Sequence, residues 1–117
     1  MKLPSESYLL RVFVGQSDKL ERKPLYQAIV EEARAHGLAG ATAIRGFLGF
    51  GANSRIHTSK VLALSEDVPV VVEIVDSKER IEKFMPTLNA MIKEGLVTLE
   101  KVRVITYRAK DDKKASQ

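Results

Sequence analysis

Residues able to do chemistry concentrate in one stretch, Arg45-Gly46-Phe47-Leu48-Gly49-Phe50-Gly51-Ala52-Asn53-Ser54-Arg55-Ile56-His57-Thr58-Ser59-Lys60. Glycines at 46, 49 and 51 punctuate an apolar run and permit close backbone approach. Behind them come the hydroxyls of Ser54, Thr58 and Ser59 and the cationic or titratable groups of Arg55, His57 and Lys60. Backbone N–H groups, hydroxyls and fixed cations are the parts of an anion or phosphate cradle. The candidate ligand-binding residues are therefore Arg45, Gly46, Gly49, Gly51, Ser54, Arg55 and His57, with Arg55 the expected charged contact. The segment is not a Walker loop, since no Gly-Lys-Ser/Thr occurs, and its glycine spacing is not that of a dinucleotide fingerprint. The same composition also describes a hairpin whose glycines serve turns and whose polar groups meet water. Composition leaves both readings open.

Other reactive groups are sparse. The chain has no Cys, which excludes disulfides, thiolate zinc sites and thiol nucleophiles. His57 has no carboxylate near it in sequence to orient it and no obvious nucleophile to serve. His36 falls where a helix should end, in position to cap it or meet its dipole. The Glu31-Glu32 and Asp111-Asp112 pairs read as solvated charges. No catalytic residue and no metal site is expected, and the protein is expected not to be an enzyme.

The elements that must position the glycine-rich stretch follow from periodicity. Residues 8–15 alternate as a strand stopped by Gly15, and the polar run 16–23 reads as a connection. Residues 24–36 read as a helix, with Pro24 at its first position, Gly37 as its left-handed cap, and Leu25, Ala28, Ile29 and Ala33 on one face. Residues 41–50 form a second strand. Residues 68–75, nearly continuous in Val and Ile, form a third and central one. Asp76-Ser77-Lys78-Glu79 starts a second helix through a carboxylate cap. Its stripe of Ile81, Phe84, Met85, Leu88, Met91 and Ile92 is interrupted by Pro86 and ends at Gly95. Residues 96–107 are the last strand. The order strand, helix, strand, strand, helix, strand is the α+β ferredoxin-like βαββαβ plan, an antiparallel sheet with two helices on one face and its first and third strands central.

With 117 residues, 44% of them hydrophobic and 29% charged, one globular domain is expected over 1–107, followed by a charged tail at 108–117. The formal net charge is +4, and Arg108, Lys110, Lys113 and Lys114 against Asp111 and Asp112 account for half of it. A balance this mild and this displaced argues against nucleic acid. No apolar run is long enough to span a membrane, and residues 1–7 lack the apolar core of a signal peptide, so a cytoplasmic location is expected.

Strand alternation assigns Leu10, Val12, Val14, Ile44, Leu48, Val102 and Val104 to the helix side of the sheet. The open face then carries Leu9, Arg11, Phe13, Ala43, Arg45, Phe47, Val71, Glu73, Val75, Lys101, Arg103 and Ile105. Such a face can be wet, can stack bases as RNA-binding sheets do, or can be buried in a homo-oligomer. The third strand lacks the aromatic residues of a stacking platform. Glu73 is within plausible reach of Arg11 and Arg45, which would let the charges pair once desolvated. Burial in an oligomer is the favoured reading.

Several blocks closely resemble one known group: Pro24-Leu25-Tyr26, Gly37-Leu38-Ala39-Gly40-Ala41-Thr42, the run Arg45 to Gly51, Arg55-Ile56-His57, Leu64-Ser65-Glu66-Asp67-Val68-Pro69-Val70 and Glu94-Gly95-Leu96-Val97-Thr98. The chain resembles the PII-like proteins of the GlnB-like superfamily that form the domain-of-unknown-function 190 group. The resemblance implies a ferredoxin-like subunit, usually trimeric. Classical PII proteins sense adenine nucleotides and 2-oxoglutarate between subunits and reach their targets through a long loop between the second and third strands, where residues 51–60 fall here. The chain departs from them in having only Lys93-Glu94-Gly95-Leu96-Val97 where they carry a phosphate loop, and no tyrosine between Gly51 and Lys60. The function expected is a homotrimeric sensor that binds a small anionic ligand, with an adenine nucleotide as candidate, and regulates a protein partner; residues 52–59, with Ile56 their one large apolar residue, are expected to be ordered or redirected by the ligand. The alternative is a small acylphosphatase-like phosphate hydrolase. That chemistry needs an Arg-bearing loop after the first strand, where this chain has Val14-Gly15-Gln16-Ser17-Asp18-Lys19.

Overall fold

The computed structural model describes residues 2–51 and 68–110. The expectations placed on Ser54, Arg55, His57 and the 52–59 segment lie outside the described residues. Strand β1 (Glu6–Gly15) leads through a two-stranded ribbon, β2 (Lys19–Leu20) and β3 (Lys23–Pro24), into helix α1 (Leu25–Ala35). Strands β4 (Ala41–Arg45) and β5 (Pro69–Asp76), helix α2 (Lys78–Met91) and strand β6 (Leu96–Arg103) follow. The four long strands form one antiparallel sheet in the order β4-β5-β1-β6. This is the ferredoxin-like plan with the first and third strands of the βαββαβ order at the centre. The ribbon occupies the run expected to be a plain connection, and its turn places Glu21 at φ 57.

The core forms where the two helices meet one face of the sheet. Leu10, Val12, Val14, Val70, Val72 and Ile74 pack with Leu25, Ile29 and Ala33 of α1 and Ile81, Phe84 and Leu88 of α2. The alternation of β1 and β5 follows from period-2 geometry with one side covered. Helix α1 ends as its sequence indicates, with Gly37 at φ 72, but Pro24 precedes the helix as its N-cap, at φ −55 and ψ 134, and is not its first helical residue. The start of α2 corrects the expected carboxylate cap. The Ser77 hydroxyl accepts from the Arg80 N–H at 3.3 Å, while the Asp76 carboxylate binds elsewhere. Pro86 lies on the exposed side of α2, where the Glu82 carbonyl it deprives of a donor can meet water.

Two strands are shorter than their patterns suggest, and both stop near a proline. Gly46 N–H donates to Pro69 O at 2.6 Å, but Pro69 has no N–H to return, so β4 ends at Arg45 and not at Phe50. Val104 N–H donates to Ser5 O at 2.7 Å, next to Pro4, and β6 ends at Arg103 and not at Tyr107.

The phase of both edge strands is also the reverse of that expected. Directly opposed residues of an antiparallel pair share a face. Ala43 opposes Val72 and Arg45 opposes Val70, so both lie on the helix side, while Ile44 opposes Val71 on the open face. Likewise Leu99 opposes Leu10 and Lys101 opposes Tyr8 on the helix side, and Val102 opposes Ser7 on the open face. The outer parts of these edges remain exposed, so Arg45, Lys101 and Arg103 carry no burial cost there. The expected helix-side Leu48 is exposed.

Candidate functional site

Two places on the sheet are candidates for a ligand, one anticipated and one not. The anticipated place is the turn after β4. Arg45 ends β4, and Gly46, Gly49 and Gly51 follow it in sequence through the turn. Both inner glycines pack on Pro69: a Cβ at Gly46 would lie 2.9 Å from Pro69 O, and one at Gly49 would lie 3.0 Å from Pro69 Cγ. A Cβ at Gly51 would meet nothing within 4 Å. The first two glycines thus have a packing role, whatever else they do. The Arg45 guanidinium donates through Nε to Gln16 Oε1 at 2.8 Å and does not reach Glu73. Phe47, 85% exposed, and Phe50 project from the same turn.

On the open face, Arg11 forms the expected pair with Glu73. Its Nε donates to Glu73 Oε2 at 2.9 Å, and a terminal nitrogen donates to Glu100 Oε1 at 2.7 Å. The hydrogen bond to Glu73 is the main cause that holds the Arg11 pKa above its ordinary value, with Glu100 adding to it. Around this cluster lie Leu9, Phe13, Val71 and Val75 on the central strands and Ile44 and Leu96 at the edges.

The second place is a groove of about 740 Å³ at the opposite end of the open face from the glycine turn. Leu9 of β1, Glu73 and Val75 of β5, Thr42 of β4 and Val102 of β6 line it. Ala39-Gly40-Ala41 forms one wall, and the segment after β6 through Tyr107 forms the other. Thr42 and Glu73 are cross-strand partners, so a hydroxyl and a carboxylate stand side by side between apolar surfaces.

The first wall is held firmly. Asp76 is 0% exposed; its Oδ1 accepts from Ser77 N–H at 2.6 Å and its Oδ2 from Ala39 N–H at 2.9 Å. Arg80 donates to Gly37 O at 2.8 Å, and its Nε lies 4.0 Å from Asp76 Oδ1. The loop between α1 and β4 is therefore pinned to the start of α2. His36 adds a link between the helices, with Nδ1 3.0 Å from Glu32 O, Nε2 3.2 Å from Thr87 Oγ1, and its ring edge-on to Phe84 at 5.2 Å.

Sequence reasoning did not find this groove. Its residues come from four separate stretches, and only Ala39-Gly40-Ala41-Thr42 lies in a block that carries the family resemblance, with no chemistry marked on it. The one available signal was Thr42 beside Glu73, which becomes visible only with the strand register. Among the described residues, no group of three His, Cys, Asp or Glu side chains could hold a metal ion, and no helix is long and apolar enough to cross a membrane.

The comparisons place this architecture. Residues 7–104 match the family model DUF190, described as an uncharacterized ACR. A UPF0166 protein of Aquifex aeolicus (strain VF5) is 40% identical over 97 residues, covering 83% of this chain and 91% of its own. Among solved structures, a Thermus thermophilus protein described as PII-like signalling aligns with a TM-score of 0.60 at 19% identity, covering 92% of this chain and 94% of that one. CPII of Thiomonas intermedia K12, solved with ADP, AMP and acetate, aligns with a TM-score of 0.54 at 14% identity, covering 86% and 90%. The likeness to both structures is one of fold, a PII-like ferredoxin-type sheet with two helices on one side. With most of its length inside the matched region and a close sequence relative in the same group, the chain belongs to the DUF190 (UPF0166) family.

Proposed function

We propose that this protein is a PII-like, non-enzymatic sensor that binds an adenine nucleotide on the open face of its sheet and passes its state to a protein partner. The observation that carries the reading is the groove of about 740 Å³ beside Thr42 and Glu73. A purine ring needs apolar surface against its faces and hydrogen-bonding groups at its edge. Leu9, Val75 and Val102 supply the first. The Thr42 hydroxyl, the Glu73 carboxylate and the backbone of 39–41 supply the second. The sugar and phosphates then run along β4 toward the glycine turn. Thr42 and Gly46 are four strand residues apart, about 13 Å at about 3.3 Å per residue, a span a nucleoside diphosphate can bridge. Gly46, Gly49 and Gly51 at the turn, with Ser54, Arg55 and His57 after it in sequence, are the proposed phosphate contacts; Arg45, on the helix side and bonded to Gln16, drops out of the expected set. The fold shared with a structure solved with ADP and AMP supports this reading.

The same face supports a homotrimer. Leu9, Phe13, Ile44, Val71, Val75, Leu96 and Val102 surround one paired charge cluster, a composition suited to cover by other copies of the chain; because Leu9, Val75 and Val102 also line the groove, the nucleotide is proposed to lie at a subunit boundary. The face expected from sequence named Arg45 and Phe47; Ile44 and Val102 take part in their stead. The hydrolase alternative is disfavoured by the turn after β1. Gly15 N–H donates to Asp18 Oδ2 at 2.8 Å and Gln16 N–H to Val68 O at 2.9 Å, so backbone donors there already have partners, one of them an anion.

Calorimetric titration with ADP and AMP tests the reading. Binding is expected in the wild type, and Thr42→Val is expected to weaken it about two- to tenfold, one neutral hydrogen bond. Absence of binding at millimolar nucleotide refutes the assignment. Release of phosphate from an acyl phosphate would favour the hydrolase.

A further inference from the structure

We propose that residues 104–107 form a strap that latches over the groove, with the Tyr107 hydroxyl as its catch, and that the strap sets the rate at which ligand leaves. The proposal rests on the assignment of the groove to an adenine nucleotide. Strand β6 stops pairing with β1 at Arg103, and the Val104 N–H bond to Ser5 O is the next backbone tie to the sheet edge. From there the chain carries no helix or strand through 109, and residues 104–107 all line the groove. Tyr107 Oη donates to Ala39 O at 2.7 Å. Ala39 precedes β4, the far edge of the sheet, whereas the strap starts from β6 at the near edge. The latch therefore joins the two walls of the groove.

The walls differ in how they are held. Ala39 is fixed through its N–H to buried Asp76, two residues from the Gly37 carbonyl that Arg80 binds. The strap buries little: Ile105 is 81% and Tyr107 41% exposed. Lifting it exposes little additional apolar surface, so polar contacts such as the Tyr107 bond form a large share of what keeps it down. A ligand beneath the strap leaves when the strap lifts, and the pinned wall stays in place.

Two readouts on the full chain test the latch, with ADP as probe and Tyr107→Phe as the variant, which retains the ring and removes the hydroxyl. Hydrogen exchange of the 104–107 amides without nucleotide is expected to quicken in Tyr107→Phe, with β5 amides unchanged. ADP dissociation from immobilised protein, followed by surface plasmon resonance, is expected to quicken about two- to tenfold, the range for one neutral hydrogen bond. Unchanged exchange at 104–107 overturns the latch. Faster exchange with unchanged ADP dissociation overturns its role as a gate. Failure of both proteins to bind ADP overturns the nucleotide assignment and the gate with it, a result distinct from equal binding with equal rates.

Discussion

Asp76→Asn is the substitution that most directly loads the pinned wall of the groove. The wild-type carboxylate is fully buried and accepts two backbone hydrogen bonds, from Ser77 at 2.6 Å and Ala39 at 2.9 Å. Asparagine has one acceptor oxygen. Its NH2 group must then face a backbone N–H, donor against donor. Hydrogen bonds to a charged group are each worth about 1.5–3 kcal/mol, so losing one and weakening the other costs about 2–4 kcal/mol. For a domain of this size a loss of that order lowers Tm by on the order of 10–20 °C. Thermal unfolding by circular dichroism measures it, at fixed protein concentration because association also shifts Tm. Ile74→Val serves as a control: it removes one methylene from the same buried strand for about 0.5–1.5 kcal/mol without touching either bond. The Ala39 amide is expected to lose protection from exchange in Asp76→Asn and to keep it in Ile74→Val. A Tm shift below about 3 °C, far under the fall expected from these hydrogen bonds, would refute the account of the wall.

Three further outcomes follow from the geometry. Gly46→Ala places a Cβ 2.9 Å from Pro69 O, which forces backbone apart and costs about 1–3 kcal/mol, whereas Gly51→Ala meets nothing within 4 Å and stays within about 0.5 kcal/mol of wild type; urea midpoints distinguish them. Glu73→Ala leaves Arg11 with Glu100, and in a buried trimer face breaking such a pair costs about 3–5 kcal/mol, so light scattering at micromolar concentration is expected to show dissociation; an intact trimer of unchanged Tm would contradict burial of the pair. Glu31 is held below its ordinary pKa by the hydrogen bond from Lys23 and then by that from Gln27. Its contribution is therefore present above the unfolded carboxylate pKa and is lost as pH falls through the lower folded value. The difference in unfolding midpoint between wild type and Glu31→Gln should close over that acid window; a difference that persists below it would contradict the pairing.

The fold was legible wherever one side of an element is covered. Strand β1 alternates cleanly because Leu10, Val12 and Val14 enter the core that the helices cover, and α1 is bounded by Pro24 at its N-cap and Gly37 after its end, whose backbone preferences need no tertiary context. The edge strands were misread for the complementary reason. Ala43, Arg45, Lys101 and Arg103 lie on the helix side but outside the helices' cover, so polarity there does not report the face. Register resolves it, and register depends on pairings such as Thr42 with Glu73 that alternation in a single strand does not contain. The strand ends were missed because they depend on prolines in the partner strand or just before it, Pro69 and Pro4. The glycine turn attracted attention as a motif, yet Gly46 and Gly49 have a packing reason to be glycine against Pro69. The groove has no motif that marks its chemistry because the sheet builds it from single residues of distant strands.

Chemical-shift mapping of the isotope-labelled protein with ADP tests the central claim most directly. The account predicts that Leu9, Gly40, Thr42, Glu73, Val75 and Tyr107 shift together and saturably, with a second set of shifts at Gly46 to Gly51. Shifts confined to the helix face, or none at millimolar ADP, would contradict it.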